Sequence, residues 1–97
     1  MVTRIVKMTF KSENVDLFEN IFEKYHSKIR SAEGCLSLKL LRGVDNPNVF
    51  FTYSTWQDPS FLDVYRKSET FGIVWPQTKA LFAEPAEAWT TEEKYDL

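Results

Sequence analysis

The residues of this 97-residue chain that could do chemistry are mostly aromatic. Eight Phe, four Tyr and three Trp make up 15% of the sequence, which is more than one small core needs. We therefore expect these rings to line an apolar cavity, to cover a subunit interface, or both. Tyr65, Phe71 and Trp75 fall on the inward face of a predicted helical region. There they could stack on a flat ligand, and Tyr65 could also donate a proton.

The usual ionisable catalysts are scarce. Glu23 and His26 have the spacing of half a di-iron site, but the other half is missing, so a solvated helix face is the simpler interpretation. Cys35 has no second His or helix N-terminus to activate it and is interpreted as a small buried residue. Arg4 and Lys7 are interpreted as edge or interface charges. One Cys and one His cannot form a zinc cluster, and no glycine motif for flavin or nicotinamide is present, so we expect neither metal nor cofactor.

Composition also excludes several classes of partner. Twelve basic and fourteen acidic residues give a net charge of −2, and the scattered basic residues argue against a nucleic-acid surface. No apolar run approaches the length of a membrane span, and the first residues lack the apolar core of a signal peptide. We expect a cytoplasmic protein that binds neither nucleic acid nor membrane. The length predicts a single domain, residues 1–97, whose acidic tail at residues 92–97 is mobile.

Hydrophobic periodicity predicts the first strand and the first helix. Residues 2–10 alternate between apolar and polar and predict a strand. The following segment repeats apolar residues at steps of three and four, which is typical of an amphipathic helix. Ser12 and Asn14 are both candidate N-caps, and Gly34 is the expected C′ residue.

A β-hairpin is predicted next. Cys35–Arg42 and Val49–Trp56 read as strands, joined by a segment rich in turn residues. In the first of these strands, alternation places Leu36 and Leu38 on one face and Cys35 on the other.

The last third of the chain predicts helix followed by strand. Asp58 and Pro59 have the residue types of an N-cap and a first helical position, and Ser68 can start a second helical segment. Pro76 interrupts the helical pattern, so we expect a kink or a restart near Trp75. The helical pattern continues to Phe82, and a short strand is predicted at Ala86–Thr91.

The order β-α-β-β-α-β is that of the ferredoxin-like α+β fold, a four-stranded antiparallel sheet with helices on one face. The third predicted strand has Phe50 and Trp56 on one face and Phe51 and Tyr53 on the other. Helices can cover only one of these apolar faces, so we expect a second copy of the chain to cover the other and form a homodimer.

The same region resembles the signature of the antibiotic biosynthesis monooxygenase domain. The segment 53–56 ends a strand in Trp, Phe61 and Leu62 lie in a capped helix, and residues 65–71 match an aromatic residue followed by Ser-x-x-Phe. The resemblance covers roughly residues 2–91. It implies a dimeric α+β barrel with one pocket per subunit between helices and sheet. Members of the family include cofactor-free oxygenases of quinols and polyketide phenols, and haem-degrading enzymes.

The haem-degrading branch fits poorly. Its Asn on the first strand and its iron-binding His on the second helix fall at Val6 and Trp75 in this sequence. Trp does not ligate iron and Val cannot hydrogen-bond a distal ligand, so we do not expect haem chemistry.

The resemblance and the aromatic excess together predict a cofactor-independent monooxygenase. Its substrates would be dioxygen and a small electron-rich aromatic such as a quinol, a phenol or a polyketide-like ring. Such a ring reduces dioxygen itself once it is an anion held in a dry cavity. The alternative is a non-catalytic dimeric barrel that binds a small molecule. The expected catalytic residues are Tyr65 and Trp75, and the expected substrate-binding residues are Phe22, Trp56, Arg66 and Phe71.

Overall fold

The computed structural model describes residues 1–97 and contains four strands and three α-helices. The strands are β1 (Val2–Thr9), β2 (Cys35–Arg42), β3 (Val49–Trp56) and β4 (Glu87–Thr91). The helices are α1 (Val15–Arg30), α2 (Pro59–Arg66) and α3 (Glu69–Lys79). The sheet has the order β2-β3-β1-β4, and every neighbouring pair of strands is antiparallel. The predicted ferredoxin-like α+β fold is therefore confirmed.

The pleat of the central strands separates two sets of apolar side chains. Met8 on β1 and its partner Phe50 on β3 point toward the helices, as does Trp56, and all three are buried. Ile5 and its partner Tyr53 lie on the opposite face, here called the outer face, where they are only half-buried. The two apolar faces predicted for the sheet are present.

The ends of α1 differ from the prediction. A single 3₁₀ turn at Ser12–Asn14 precedes the helix, and neither candidate caps it with a side-chain hydrogen bond. Instead, Asn14 Nδ2 donates to the backbone oxygen of Leu81 at 3.3 Å. The helix ends at Arg30, so Gly34 lies beyond the C′ position. Asn14 thus connects the start of α1 to the segment after α3.

Gly34 serves the turn that leads into β2. Its φ of +81° lies in the left-handed region, which costs a residue with a Cβ about 1–2 kcal/mol. A Cβ at this position would also come within 2.2 Å of the Phe61 ring on α2. The Gly34 backbone oxygen accepts a hydrogen bond from Gln57 N at 2.8 Å. The glycine is therefore required both by the backbone conformation and by the close approach of α2.

A β-bulge at the start of β2 makes the side-chain directions of that strand differ from the prediction. The register shifts between Cys35 and Ser37, which leaves Leu36 unpaired and exposed. The extra residue turns Cys35 to the helix side, where it packs against Trp56 in the core. Sequence alternation alone placed Cys35 on the face opposite Leu38, and the bulge brings both to the same side.

The two short helices begin as predicted. Asp58 Oδ2 accepts hydrogen bonds from Ser60 N at 3.0 Å and from Ser60 Oγ at 2.6 Å, which caps α2. Ser68 Oγ accepts from Phe71 N at 3.2 Å and caps α3. The chain therefore breaks at Ser68 and starts a helix in a new direction. None of the helices combines the length and the apolar character needed to cross a membrane.

The sequence predicts a kink or a restart near Trp75; the restart does not occur, because α3 continues through Pro76 as one helix. The proline lacks the N–H that would bond the Gly72 backbone oxygen, but the ladder resumes with Ala80 N donating to Pro76 O at 3.1 Å. The helix ends at Lys79, before the predicted end at Phe82. Phe82 forms a β-bridge with Phe10 instead.

The buried core consists of two separate clusters. The first joins β1, β3 and α1 and contains Met8, Phe10, Val15, Phe18 and Phe50. The second lies where α2 packs on the ends of β2 and β3, and contains Cys35, Trp56 and Leu62. Only 11 of the 97 residues are buried, and no buried hydrophobic residue connects the two clusters. The helix layer thus contacts the sheet at two places.

Gly34→Ala should lower the free energy of unfolding by about 2–4 kcal/mol, since it combines a strained φ with a clash against Phe61. Urea denaturation followed by far-UV circular dichroism would measure this. The matched control is Gly72→Ala in α3, where a Cβ meets no atom within 4 Å and should raise stability by up to about 1 kcal/mol. Equal stabilities for the two variants would contradict the role given to Gly34.

Candidate functional site

A cavity of about 300 Å³ lies between the helices and the sheet, bordered by residues of both core clusters. Fourteen of its nineteen lining residues are hydrophobic, so it suits a largely apolar ligand. The helices contribute Phe18, Phe22, Ile29, Leu62, Tyr65, Arg66, Phe71, Val74, Trp75 and Thr78. The sheet side contributes Arg4, Val6, Met8, Leu38, Thr52, Ser54, Trp56, Ala86 and Ala88.

One wall of the cavity is a continuous row of aromatic rings. Trp56 at the end of β3 lies 5.3 Å from Tyr65 on α2, measured between ring centroids. Tyr65 is 5.5 Å from Phe71 on α3, which in turn stacks on Trp75 at 5.8 Å. The break at Ser68 makes this row possible, because it lets α2 and α3 point their rings at the same cavity.

A further part of the lining comes from α1. Phe22 lies 6.3 Å from Phe18 between ring centroids, and both rings line the cavity. Phe22 also stacks at 5.8 Å on His26, which is exposed and does not line the cavity. The structure thus brings together all six residues proposed from the sequence, whose functional roles stay predictions: Phe22, Trp56, Tyr65, Arg66, Phe71 and Trp75.

Small side chains on the sheet leave room for the cavity. Thr52 and Ser54 of β3 line the cavity on the sheet side. Ala88 of β4 lies beside its register partner Val6 of β1, and both also line the cavity. Ser54 Oγ accepts a hydrogen bond from Trp56 Nε1 at 3.0 Å, and both residues are buried. This bond satisfies the indole N–H and holds the Trp56 ring in place at the edge of the cavity.

Tyr65 is a hydrogen-bond donor rather than a base at neutral pH. Burial raises its pKa to about 12, and the nearby Cys35 adds to the rise. None of the side-chain hydrogen bonds within the protein involves its hydroxyl group, which is not a fully enclosed atom. The Tyr65 hydroxyl is therefore free to donate to a ligand in the cavity.

Arg4 and Arg66 are the two charged residues of the lining. Arg66 is exposed at the end of α2, while Arg4 is half-buried on β1 and donates from NH1 to Thr90 Oγ1 at 3.0 Å. The sequence predicts an edge or interface charge at Arg4, but the structure places Arg4 in the lining of the cavity. The available signal was its place in the alternation, on the same face of the strand as Val6 and Met8.

The remaining reactive groups lie elsewhere. Cys35 is buried, and burial raises the pKa of its thiol, which disfavours the nucleophilic thiolate. No three His, Cys, Asp or Glu side chains lie close enough to hold a metal ion. Glu23 and His26 therefore lack further ligands for a metal.

Comparison with known proteins places this geometry in a family. The model of the antibiotic biosynthesis monooxygenase family matches residues 1–72 of the 97. The chain belongs to the antibiotic biosynthesis monooxygenase family. Five of the six predicted site residues lie inside the matched region, and Trp75 lies just beyond it. A search of curated proteins found no significant match.

Solved structures share the fold of this monooxygenase-family chain at low sequence identity. A crystal structure of an antibiotic biosynthesis monooxygenase has a TM-score of 0.90 and 22% identity, covering 96% of this chain and 98% of the other. A protein from Methanosarcina mazei Go1 has a TM-score of 0.91 and 23% identity, covering 97% and 94%. A variant of SnoaB, a cofactor-independent oxygenase from Streptomyces nogalater, has a TM-score of 0.87 and 20% identity, covering 99% and 95%. These similarities establish the fold.

The raised pKa of Tyr65 predicts a specific loss of stability at alkaline pH. Between pH 10 and pH 12 the unfolded chain loses the phenol proton while the folded chain keeps it, so stability falls as the pH rises through this window. Tyr65→Phe should match the wild type at pH 8 and be more stable by about 1 kcal/mol at pH 11. Urea denaturation at both pH values would measure the difference.

Tyr95→Phe is the matched control, because Tyr95 is 83% exposed in the C-terminal segment. The control should follow the wild type at both pH values. If Tyr65→Phe also followed the wild type at pH 11, burial in the fold would not be raising the pKa of the Tyr65 hydroxyl.

Proposed function

We propose that this protein is a cofactor-independent monooxygenase that acts on a small electron-rich phenol or quinol. The observation that carries the proposal is the aromatic-walled cavity, whose charged lining residues are both arginines. Stacked rings favour a flat aromatic substrate, and the cationic groups favour its anionic form. Membership of the antibiotic biosynthesis monooxygenase family supports the same reaction class.

The cavity volume argues for a small substrate. At about 300 Å³ it is at the lower end of the roughly 300–1,000 Å³ typical of small-molecule sites. A ring system of one or two fused rings fits this space better than a large polyketide. The proposed substrate class is therefore the phenols and quinols of that size.

The proposed reaction needs no reductant other than the substrate. A phenolate transfers one electron to dioxygen, and the resulting superoxide and phenoxyl radical combine to form a bond between ring carbon and oxygen. The ring carbon then loses its proton as the O–O bond breaks, so one oxygen atom leaves as water and the other remains in the quinone product. One phenol and one dioxygen thus give one quinone and one water.

The lining residues have separate roles in this proposal. The neutral Tyr65 hydroxyl donates a hydrogen bond to the oxygen anion or to the peroxide that forms on the ring. Phe71 and Trp75 stack on the substrate and keep water away from the radical pair. Phe22 and Trp56 add apolar lining to the same space.

A non-catalytic small-molecule binder is the second candidate. The observation in its favour is that no Asp, Glu or His lines the cavity, so the protein offers no side chain to take the phenol proton. A binder would use the same rings and arginines without turnover. In the oxygenase, by contrast, the phenol must ionise to solvent under the influence of the arginine charges.

Oxygen consumption separates the two candidates. We expect the purified protein to accelerate oxygen uptake with naphthohydroquinone, a two-ring quinol, without added cofactor and above the rate of autoxidation. One water should form per dioxygen consumed, with no accumulation of hydrogen peroxide. Ligand-dependent quenching of tryptophan fluorescence without any protein-dependent uptake would favour the binder.

Trp75→Ala tests the site within the same assay. A cavity-lining Trp75 predicts that turnover falls at least tenfold while the free energy of unfolding drops by less than the roughly 3–5 kcal/mol lost when a core aromatic is truncated. Ile73→Ala on the exposed side of the same helix is the control and should keep full turnover. A large stability loss with unchanged turnover would remove Trp75 from the site.

We also propose that a second copy of the chain covers the outer face of the sheet. Ile5, Phe51 and Tyr53 form the middle of that face, and Leu41 and Trp89 at its two sides are 45% and 46% exposed. A chain this short gains substantial stability from extra buried apolar area. A homodimer through this face would supply that area.

Light scattering at micromolar concentration should give twice the 11.4 kDa mass of one chain. Trp89→Glu would place a charge in the proposed interface and should yield the monomer mass. Val64→Glu is the control, because Val64 is exposed on α2, on the helix side of the sheet. A wild-type mass of one chain would refute the proposed homodimer.

A further inference from the structure

The charges of the cavity are all of one sign. Arg4 comes from β1 and Arg66 from the last turn of α2, and no Asp, Glu, Lys or His lines the same space. The chain as a whole has fourteen acidic residues and a net charge of −2. A purely cationic lining in an acidic protein is the arrangement expected for an anionic ligand.

Neither arginine has a carboxylate partner within the protein. The ion pair of the chain joins Lys7 Nζ to Glu87 Oε2 at 3.8 Å, on the outer face of the sheet. Arg4 uses NH1 to bond Thr90 Oγ1, which leaves most of its five N–H donors available. That bond also restricts the guanidinium group to one side of the strand, toward the cavity.

The two guanidinium groups repel each other across the cavity. Burial lowers the pKa of Arg4, and the positive charge of Arg66 lowers it further. Two like charges from elements sixty residues apart in sequence thus meet without a counter-ion from the protein. An anion bound between them would remove this repulsion and would accept several charge-assisted hydrogen bonds.

We infer that the ligand of this cavity is an aromatic carboxylate, whose ring lies against the aromatic row while Arg4 and Arg66 bind its carboxylate. This inference rests on the function proposed above and narrows its substrate to aromatic acids. The exposed position of Arg66 places the carboxylate at the mouth of the cavity, where it keeps part of its hydration. The forked donors of arginine match the geometry of a carboxylate.

A carboxylate suits this pair better than a phenolate. A carboxyl group with a pKa of about 4 is ionised at neutral pH without help, whereas a phenol with a pKa of about 10 needs a large shift. Arg66 is exposed, so its charge is partly screened by water and could supply only part of that shift. The arginines can therefore anchor a ready-made anion, leaving a phenol elsewhere on the ring to react.

Naphthoate and naphthamide form a matched pair of probes, with the same ring and nearly the same shape but different charge. Trp56 and Trp75 both line the cavity, so quenching of tryptophan fluorescence reports binding. We expect naphthoate to bind at least about tenfold more tightly than naphthamide at pH 7, as is typical for hydrogen bonds to a charged group. Higher salt should weaken naphthoate binding only.

Arg4→Gln and Arg66→Gln should each weaken the binding of naphthoate far more than that of naphthamide, and so remove most of this preference. Lys67→Gln is the matched control, because Lys67 is the next residue, is exposed, and does not line the cavity. It changes the net charge equally and should keep the preference for naphthoate. Because Arg66 is exposed, we expect Arg66→Gln to fold and to test the inference even if Arg4→Gln does not fold.

Equal affinity of the wild type for the two probes, or no binding of either, would overturn the inference. So would a loss of preference in Lys67→Gln as large as in Arg66→Gln, since net charge alone would then explain it. Naphthol binding as tightly as naphthoate would show that the site does not select a carboxylate, and would also overturn the inference. The oxygen-uptake assay is independent: preferential naphthoate binding without turnover would refute the monooxygenase and leave the aromatic-acid site intact.

Discussion

Three helices must cover one face of a four-stranded sheet in this protein, and they reach it at two places. At one end Phe10 and Phe18 stack with their ring centroids 4.2 Å apart and join α1 to the sheet. At the other end Leu62 packs on Trp56 where α2 meets β3. The space between these contacts is not filled by side chains, and it becomes the cavity. The two core contacts hold the helices on the sheet, and the gap that they leave unfilled is the candidate site.

The aromatic row both lines the cavity and contributes to the packing of the core. Trp75 contacts Phe71 on the cavity side and also packs edge-on against Phe82 at 5.7 Å, which in turn contacts Phe10 in the core. Large rings can span a gap that aliphatic side chains would leave collapsed or open, because each ring has two faces and an edge for contact. The aromatic excess of the sequence is thus divided between core, cavity wall and outer face.

Local signals in the sequence predicted much of the fold. Sequence alternation predicts β1 and β3, and the residue types of Asp58 and Ser68 predict the starts of α2 and α3. These features depend on neighbouring residues, so they can be predicted without knowledge of tertiary contacts. The predictions were wrong where contacts with residues far away in the sequence determine how a helix begins or ends. Asn14 bonds Leu81 rather than capping α1, and Phe82 leaves the helical pattern to pair with Phe10.

The sequence by itself determined the order of elements, the two apolar faces of the sheet and six of the nineteen residues that line the cavity, because periodicity and residue type are local properties. Only the tertiary structure decided that Arg4 joins Arg66 at one cavity and that a bulge at Leu36 turns Cys35 inward. Both outcomes depend on strand register and on how α2 crosses the sheet. Those are set by contacts between residues far apart in the chain, which no local pattern records.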